Sequence, residues 1–186
     1  YIDGREFNLS VLAGPSGPEV LPPAEIDFSA FPSGKARIVD YRAKWDEASF
    51  EFHHMSRRFD FPDSERRLLE ELCRLARACW SLFGVRGYVR VDFRVDAQNR
   101  PWILEVNTNP CLSPDAGFAA ALAQASIPFE EAVRRTVSDI RGSYAFLALS
   151  DREPGTLVGV RLNCPMVVGI GDGEYFLASI ISRSSR

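Results

Sequence analysis

Two alternating segments joined by a polar turn constrain the fold of this chain more than any other feature of its sequence. Apolar and charged residues alternate from Val89 to Val95, and a second segment from Trp102 to Asn107 has the same period. A period of two is typical of a strand with one buried face. Polar residues fill positions 96–100 between the segments, so the pattern predicts an antiparallel β-hairpin.

The register of this hairpin can be predicted by counting outward from a two-residue turn at Gln98-Asn99. The expected pairs are Val95 with Trp102, Phe93 with Leu104, Asp92 with Glu105, Val91 with Val106 and Arg90 with Asn107. This register is favoured because it builds one continuous apolar face. On the other face it sets Asp92 directly opposite Glu105, with Cβ atoms roughly 5 Å apart. Nearer the turn, Arg94 and Asp96 are predicted to face solvent.

The opposed carboxylates of Asp92 and Glu105 require a compensating group, because like charges directly opposite each other destabilise a sheet. A divalent cation is the simplest one, since Mg²⁺ binds one or two carboxylates together with nucleotide phosphates. Asn107 would add a carboxamide oxygen, and Arg90 offers a guanidinium that donates to carboxylate or phosphate oxygens. The alternative is the solvated polar face of an ordinary hairpin, and the spacing alone leaves it open.

The remaining pattern before residue 142 mixes strands and helices. The predicted elements are a half-buried strand Glu6–Leu12, a helix from Asp63 or Ser64 to about Phe83, and helices at Asp115–Ala125 and Phe129 to about Arg141. Alternation of Phe7, Leu9 and Val11 predicts the strand. The first helix can be capped by Asp63 or Ser64 and is ended by Gly84, which accepts a left-handed backbone.

The sequence changes character at about Tyr144. Four short strands follow, at Tyr144–Leu149, Leu157–Leu162, Met166–Ile170 and Tyr175–Ala178. Turn residues separate them, which predicts an antiparallel meander. We therefore expect two domains, at residues 1–130 and 131–186, and an α+β fold class with helices on one face of an antiparallel sheet.

Composition excludes several classes of function. The net charge of −3 provides no basic field for nucleic acid. No apolar run approaches the roughly 20 residues of a membrane helix, and no charged-then-apolar leader is evident. Four cysteines without a close Cys-x-x-Cys pair, and two histidines, argue against zinc and favour reduced thiols in the cytoplasm. Tyr1 stands inside a strand-like pattern, so we expect a fragment of a longer protein.

Several motifs together resemble the ATP-grasp ligases, and most closely their D-alanine–D-alanine ligase branch. Gly87–Asp92 and Leu104–Pro110 are similar to the closing signature of these enzymes. Gly4–Phe7 and Asp40–Trp45 are similar to earlier motifs of the family, in the same order. The resemblance covers about residues 1–128 and implies the C-terminal part of an ATP-grasp domain.

The resemblance also implies ligands for ATP and its metal. Asp92, Glu105 and Asn107 would hold the Mg²⁺ (or Mn²⁺) ions that bridge the ATP phosphates. Lys44 would contact the phosphates, and Glu6 would contact the nucleotide at its ribose. The glycine-rich phosphate loop and the adenine-binding lysines of the family would precede Tyr1, so this chain alone is expected not to turn over.

The implied reaction joins a carboxylate to an amine in two steps. ATP phosphorylates the carboxylate, and an amine, here an amino acid or another small amine, attacks the acyl phosphate to form an amide. Arg90 would stabilise the acyl phosphate and the tetrahedral species that follows. The backbone at Asn109, Cys111 and Leu112 would approach the substrate carboxylate, with Cys111 a neighbour and not a nucleophile. A homodimer is one assembly that this resemblance allows.

The last third of the chain is similar to a different family. Gly142–Phe146 and Gly169–Ser179 resemble the glutaminase domain of glutamine–fructose-6-phosphate aminotransferase. That family requires an N-terminal cysteine nucleophile, and Ile180 stands where it has an aspartate. We therefore predict no glutaminase activity and favour a truncated fusion or chimeric reading frame. An amidotransferase fragment and a non-catalytic nucleotide-binding remnant are the alternatives to the ligase.

Overall fold

A computed structural model describes residues 1–40, 43, 46, 48–113, 115–149 and 157–178. Lys44 and Ile180, both used in the sequence predictions, lie outside the described residues. The elements are β1 (Arg5–Gly14), β2 (Gly17–Val20), β3 (Ala24–Asp27), α1 (Phe50–His53), β4 (Ser56–Arg58), a 3₁₀ turn (Asp63–Glu65), α2 (Arg66–Leu82), β5 (Tyr88–Val95), β6 (Pro101–Asn107), α3 (Gly117–Gln124), α4 (Phe129–Asp139), β7 (Tyr144–Leu149), β8 (Leu157–Leu162), β9 (Val167–Ile170) and β10 (Tyr175–Ala178). The predicted α+β class is confirmed.

One antiparallel sheet of six strands organises the first part of the chain. Its order is β4-β3-β1-β5-β6, and β2 pairs with the far end of β1. β1 is the central strand, paired with β5 from Arg5 to Leu12 and with β3 from Glu6 to Asn8. The prediction of a half-buried β1 was wrong, because Glu6 and Ser10 on its second face are also buried.

Helix α2 covers the first face of the sheet. Phe7 and Leu9 of β1 form one buried cluster with Leu72 and Trp80 of α2. Burying an apolar side chain of this size stabilises a fold by about 1.5–3 kcal/mol. Gly84, with φ +59°, follows the end of the helix as predicted. The predicted side-chain cap is not made, because a 3₁₀ turn leads into α2 instead.

The second face is covered at both ends and carries polar residues between them. At one end α3 and α4 pack on it, with Leu12 of β1 against Phe118 and Ala132. At the other end Ile26 and Phe28 form a separate cluster. Helices therefore lie on both faces of the sheet, and the prediction of helices on one face was wrong. In the gap between the two covers, Asp92 is buried, Asn8 and Arg90 are half-buried, and Glu105 on the edge strand is exposed.

The strands after α4 form two small sheets. β7, β8 and β10 have the predicted bounds, and β9 is one residue shorter than predicted. β7 pairs only with β8 and β9 only with β10, so the described residues do not form the expected four-stranded meander. Large apolar side chains, among them Ile170 and Tyr175, stay exposed. A hydrogen bond of 3.2 Å from Tyr144 Oη to the Val137 carbonyl joins β7 to α4.

Candidate active site

The hairpin of β5 and β6 brings the predicted acidic pair together. The structure pairs Asp92 with Glu105 and Arg90 with Asn107, as predicted. Asn8 on β1 lies opposite Asp92 on the other side of β5. We call these five residues, Asn8, Arg90, Asp92, Glu105 and Asn107, the polar patch. It lies in the gap on the second face of the sheet.

The turn of this hairpin differs from the prediction. Asp96 pairs with Arg100 around a three-residue loop, with the Asp96 N–H donating to the Arg100 carbonyl at 3.1 Å. Asn99 takes a left-handed backbone, φ +56°. The expected two-residue turn was therefore wrong by one position, and Phe93 pairs with Ile103 instead of Leu104.

A β-bulge at Leu104 restores the predicted register before the polar patch. The pairing shifts between Asp92 and Phe93, which leaves Leu104 as the extra residue on β6. A bulge inserts one unpaired residue into one strand of an antiparallel pair. The extra loop residue and the extra strand residue cancel, so the predicted pair of Asp92 and Glu105 is correct although the turn is not.

The outer strand of the hairpin is more exposed than predicted. Trp102, Ile103 and Leu104 are 44%, 47% and 51% exposed. β6 is the edge strand of the sheet, and α2 packs over β1 and β5, which leaves Ile103 uncovered on the first face. Trp102 pairs with Arg94 and therefore lies on the second face instead of the predicted apolar face. The predicted continuous apolar face therefore stops at β5, apart from the partly buried Val106.

Asp92 is the centre of the polar patch and is only 7% exposed. Arg90 donates to both of its carboxylate oxygens, from Nε to Oδ1 at 2.7 Å and from Nη2 to Oδ2 at 2.8 Å. Asn8 Nδ2 donates to Oδ1 at 2.9 Å. The charge of the acidic pair is thus offset within the chain by a bidentate guanidinium, which sequence reasoning had placed beside the carboxylates but not on them.

The environment of Arg90 stabilises the protonated form of its guanidinium group. Desolvation alone would lower the pKa of Arg90, but the hydrogen bonds and the charge of Asp92, with smaller effects from Glu105 and Glu6, raise it. Arg90 therefore stays a guanidinium cation at any working pH. If Asp92 bound a metal cation instead, the Arg90 guanidinium would be free to donate hydrogen bonds to an anionic ligand.

Glu105 and Asn107 complete a set of hard oxygen donors. Glu105 is exposed on β6, and the Asn107 Oδ1 accepts the backbone N–H of Asn109 at 2.9 Å. The described residues contain no cluster of three His, Cys, Asp or Glu side chains that could enclose a metal by themselves. Two carboxylates and a carboxamide on neighbouring strands fit a cation that keeps water or phosphate oxygens in its shell.

Glu6 and Arg94 form a buried pair beside the polar patch. Arg94 is 2% exposed, its Nη2 lies 3.3 Å from Glu6 Oε2, and its Nη1 donates to the Gly4 carbonyl at 2.8 Å. The prediction that Arg94 faces solvent was wrong. The segment after β3 covers this end of the sheet, and its Arg37 carbonyl also accepts from Arg94.

The segment after β6 leads from the polar patch to α3. Asn109 and Cys111 are exposed, and Leu112 packs against the cluster of α3 and α4. Cys111 Sγ lies 2.9 Å from Ser113 Oγ. These residues follow directly after Asn107 and therefore lie beside the polar patch. Their contact with a substrate stays a prediction.

Sequence reasoning missed Asn8 and Arg57. Asn8 shares the polar face of β1 with Glu6, so the alternation of that strand marks it as a candidate. Its contact with Asp92 joins positions 84 residues apart, and alternation within one strand does not say which strand will lie beside it. Arg57 lies in β4, where no element had been predicted.

Comparison with solved structures identifies the fold. The fold is similar to D-alanyl-alanine synthetase A from Vibrio cholerae, with a TM-score of 0.57 and 18% identity over 74% of this chain and 39% of that one. It is also similar to the ATP complex of D-alanine–D-alanine ligase from Bacillus anthracis, with a TM-score of 0.54 and 21% identity over 75% of this chain and 38% of that one. The fold is therefore that of the C-terminal ATP-grasp domain of these ligases.

Sequence comparison narrows the class to one family. The family model described as D-ala D-ala ligase C-terminus matches residues 1–138, and the chain belongs to this family. D-alanine–D-alanine ligase of Chromohalobacter salexigens is 34% identical over 147 residues, 77% of this chain and 40% of the relative. D-alanine–D-alanine ligase of Carboxydothermus hydrogenoformans is 34% identical over 136 residues, which is 73% of this chain and 39% of the relative. The chain thus spans about two fifths of the length of these relatives.

A second family has a relative that matches a shorter stretch of the chain, which supports in part the predicted resemblance to a glutaminase domain. Glutamine–fructose-6-phosphate aminotransferase of Methanothermobacter thermautotrophicus is 48% identical over 61 residues, which is 31% of this chain and 10% of the relative.

Among the helices that the structure describes, none has the length and apolar composition needed to cross a bilayer.

Proposed function

We propose that this chain supplies the metal- and phosphate-binding part of an ATP- and Mg²⁺-dependent carboxylate–amine ligase. The observation that carries the proposal is the polar patch, in which two opposed carboxylates, a carboxamide and an arginine converge on one face. The relatives named D-alanine–D-alanine ligase make D-alanine the first candidate for both substrates. Because the chain spans only part of their length, it is expected to be inactive alone.

The metal-binding role follows from the donor set. Asp92, Glu105 and the Asn107 carboxamide would hold Mg²⁺ or Mn²⁺, and the Asn8 amide would keep Asp92 oriented. The ion supplies positive charge that stabilises the phosphoryl oxygens during transfer. If Asp92 shared its carboxylate oxygens with such an ion, its hold on the Arg90 guanidinium would weaken. The fork of Arg90 could then donate to the acyl phosphate and to the tetrahedral species.

The remaining roles rest on the family resemblance. Lys44 would contact the ATP phosphates and Glu6 the nucleotide, although Glu6 already pairs with Arg94. Asn109, Cys111 and Leu112 would border the substrate carboxylate. We also propose that the ligase-like part and the last strands are separate domains, with the boundary near residue 140 and not at the expected residue 130, because α4 packs on the sheet through Ala132. We further propose that the protein acts in the cytoplasm and assembles as a homodimer.

An amidotransferase fragment is the second candidate, favoured by the 61-residue similarity to glutamine–fructose-6-phosphate aminotransferase. It predicts hydrolysis of glutamine to glutamate. Such hydrolysis needs the N-terminal cysteine of that family, so we expect none from this chain. Glutamate production from glutamine by the purified chain would support this candidate against our expectation.

The ligase proposal is tested by measuring ADP release from ATP in the protein at its full natural length. We expect release that requires Mg²⁺ and an amino acid. The double variant Asp92→Asn, Glu105→Gln should lower it at least 100-fold, because both charged ligands are lost. A matched control, Asp63→Asn with Glu71→Gln on exposed positions around α2, should keep full activity. Equal ADP release in the two double variants would refute the proposed metal site.

A further inference from the structure

Polar residues of β1 and β5 face each other in three successive pairs on the second face of the sheet. The pairs are Glu6 with Arg94, Asn8 with Asp92, and Ser10 with Arg90. Residues two apart on one strand share a face, so the pair of Glu6 and Arg94 lies directly beside the polar patch. Desolvation opposes the rise in the pKa of Arg90, the bonds and charge of Asp92 drive it, and the charge of Glu6 adds a smaller contribution. The charge of Glu6 is therefore felt inside the polar patch.

The guanidinium of Arg94 joins this pair to the segment after β3. Its Nη1 donates to the Gly4 carbonyl at 2.8 Å, and its Nη2 donates to the Arg37 carbonyl. The same Nη2 lies 3.3 Å from Glu6 Oε2. The guanidinium carbon lies 5.9 Å from the centre of the Phe28 ring, which belongs to the cluster covering this end of the sheet. One side chain thus holds Glu6, the start of β1 and the covering segment together.

Stability alone does not explain an ion pair at this position. Glu6 and Arg94 are both almost fully buried, and removing two charges from water carries a large desolvation cost. Well-packed apolar residues in place of such a pair are often equally stable or more stable. A requirement for the Glu6 carboxylate explains the pair better, because a buried carboxylate stays ionised only if a counter-charge lies beside it.

The family resemblance gives this carboxylate a use, which is contact with the nucleotide at its ribose. A carboxylate accepts roughly four hydrogen bonds through its two oxygens, so one carboxylate can bind an arginine and sugar hydroxyls together. It must then stay charged and keep one direction. The planar fork of Arg94 meets both conditions, because it is always charged and two backbone carbonyls hold it in place.

We propose that Arg94 is a positioning residue for nucleotide binding that acts through Glu6. This inference rests on the ligase function proposed above and adds a residue to it. Arg94 keeps the Glu6 carboxylate ionised and directed at the ribose hydroxyls of ATP. Through the Arg37 carbonyl it also holds the covering segment over the same end of the sheet.

Comparison of ATP with its 2′-deoxy and 3′-deoxy analogues tests the assignment, with ADP release measured in the full-length protein. The ratio of kcat/KM for ATP to kcat/KM for an analogue reports how strongly a ribose hydroxyl is recognised. This ratio does not depend on the amount of folded enzyme, so partial misfolding of a variant leaves it interpretable. We expect the wild-type protein to prefer ATP to at least one analogue by roughly tenfold or more, as for a hydrogen bond to a charged group.

Arg94→Met should abolish most of this preference, because Glu6 loses the charge that holds it. Arg94→Lys keeps a charge without the fork, so it should give an intermediate ratio and remains informative if Arg94→Met does not fold. Glu6→Gln should lower the ratio by itself, and adding Arg94→Met to it should lower the ratio no further, since both act on one contact. The control Arg5→Met removes an arginine that pairs with Glu25 on the other face, and it should keep the wild-type ratio.

The outcomes separate this inference from the ligase function. A wild-type ratio in every Arg94 variant that folds, or an equal further loss in the Glu6→Gln background, would overturn the role of Arg94 and leave the ligase function intact. Wild-type protein without preference for ATP over either analogue would overturn the ribose contact of Glu6 and this inference with it. Wild-type protein that releases no ADP from any of the three nucleotides would overturn both proposals.

Discussion

At the scale of single residues, the polar patch depends on how Asp92 is held. A carboxylate that is almost fully buried is costly unless hydrogen bonds satisfy it. Arg90 supplies a fork and Asn8 a single amide bond, so Asp92 keeps one defined orientation without a metal. Asn8 is therefore a positioning residue for Asp92, and its own oxygen is not required as a ligand.

The role of Asn8 gives a prediction about stability. Asn8→Ala removes one donor to a buried carboxylate, and such hydrogen bonds to charged groups contribute about 1.5–3 kcal/mol. Urea unfolding of the chain should show a free energy of unfolding lower by about that amount. The control Gln124→Ala lies on an exposed position of α3 and should change the free energy by less than about 0.5 kcal/mol.

A double-mutant cycle with Asp92→Asn separates the contact from other effects of the substitution. We expect Asn8→Ala to cost less in the Asp92→Asn background, because the charged acceptor is gone. Equal costs in the two backgrounds would mean that Asn8 does not stabilise Asp92.

At the scale of elements, the hairpin that carries the polar patch depends on the hydrogen bonds of Asp96 in its turn. The Asp96 carboxylate accepts the backbone N–H of Gln98 and of Arg100, the Arg100 guanidinium and the Trp102 indole. Desolvation would raise the pKa of Asp96, but these bonds together lower it to about 2. Asp96 was predicted to face solvent, and it is instead the residue that closes the loop.

This lowered pKa predicts how stability depends on pH. Asp96 has a lower pKa in the folded chain than its unfolded value of about 3.9, so its contribution is complete above pH 4 and is lost as the pH falls toward 2. Urea midpoints measured from pH 5 to pH 2 should therefore fall less steeply for Asp96→Asn than for the wild type. Parallel curves would show that the Asp96 carboxylate does not stabilise the hairpin.

At the scale of the whole molecule, the ligase-like sheet and the strands after α4 have different kinds of packing. The sheet has buried clusters on both faces, and α4 contributes Ala132 to one of them. The two small sheets leave large apolar side chains exposed. Isolated two-stranded sheets are marginal in water, so these strands depend on neighbours that the described residues do not supply.

A truncation tests this division. A chain that ends at Ile140 keeps every residue of the three buried clusters and should unfold cooperatively in urea with nearly the midpoint of the whole chain. It should also scatter less light on storage, because exposed apolar strands promote association. Loss of cooperative unfolding on truncation would mean that the last strands belong to the same folding unit as the sheet.

The sequence by itself determined the features that depend on local spacing. The period of two from Val89 to Val95 indicates which residues of β5 are buried, and helical spacing locates α2 within a few residues. The pair of Asp92 and Glu105 also follows from spacing. It was predicted correctly because the longer turn and the bulge at Leu104 shift the register in opposite directions.

Only the tertiary structure decided which distant segments meet. Asn8 reaches Asp92, Arg94 is buried beside Glu6, and Arg57 reaches the start of α3 because β1 joins β5 and because both ends of the second face are covered. Each of these contacts spans at least 58 residues. Periodicity within a strand specifies which side chains share a face, but the burial of apolar surface from the whole chain selects the strand that lies beside it.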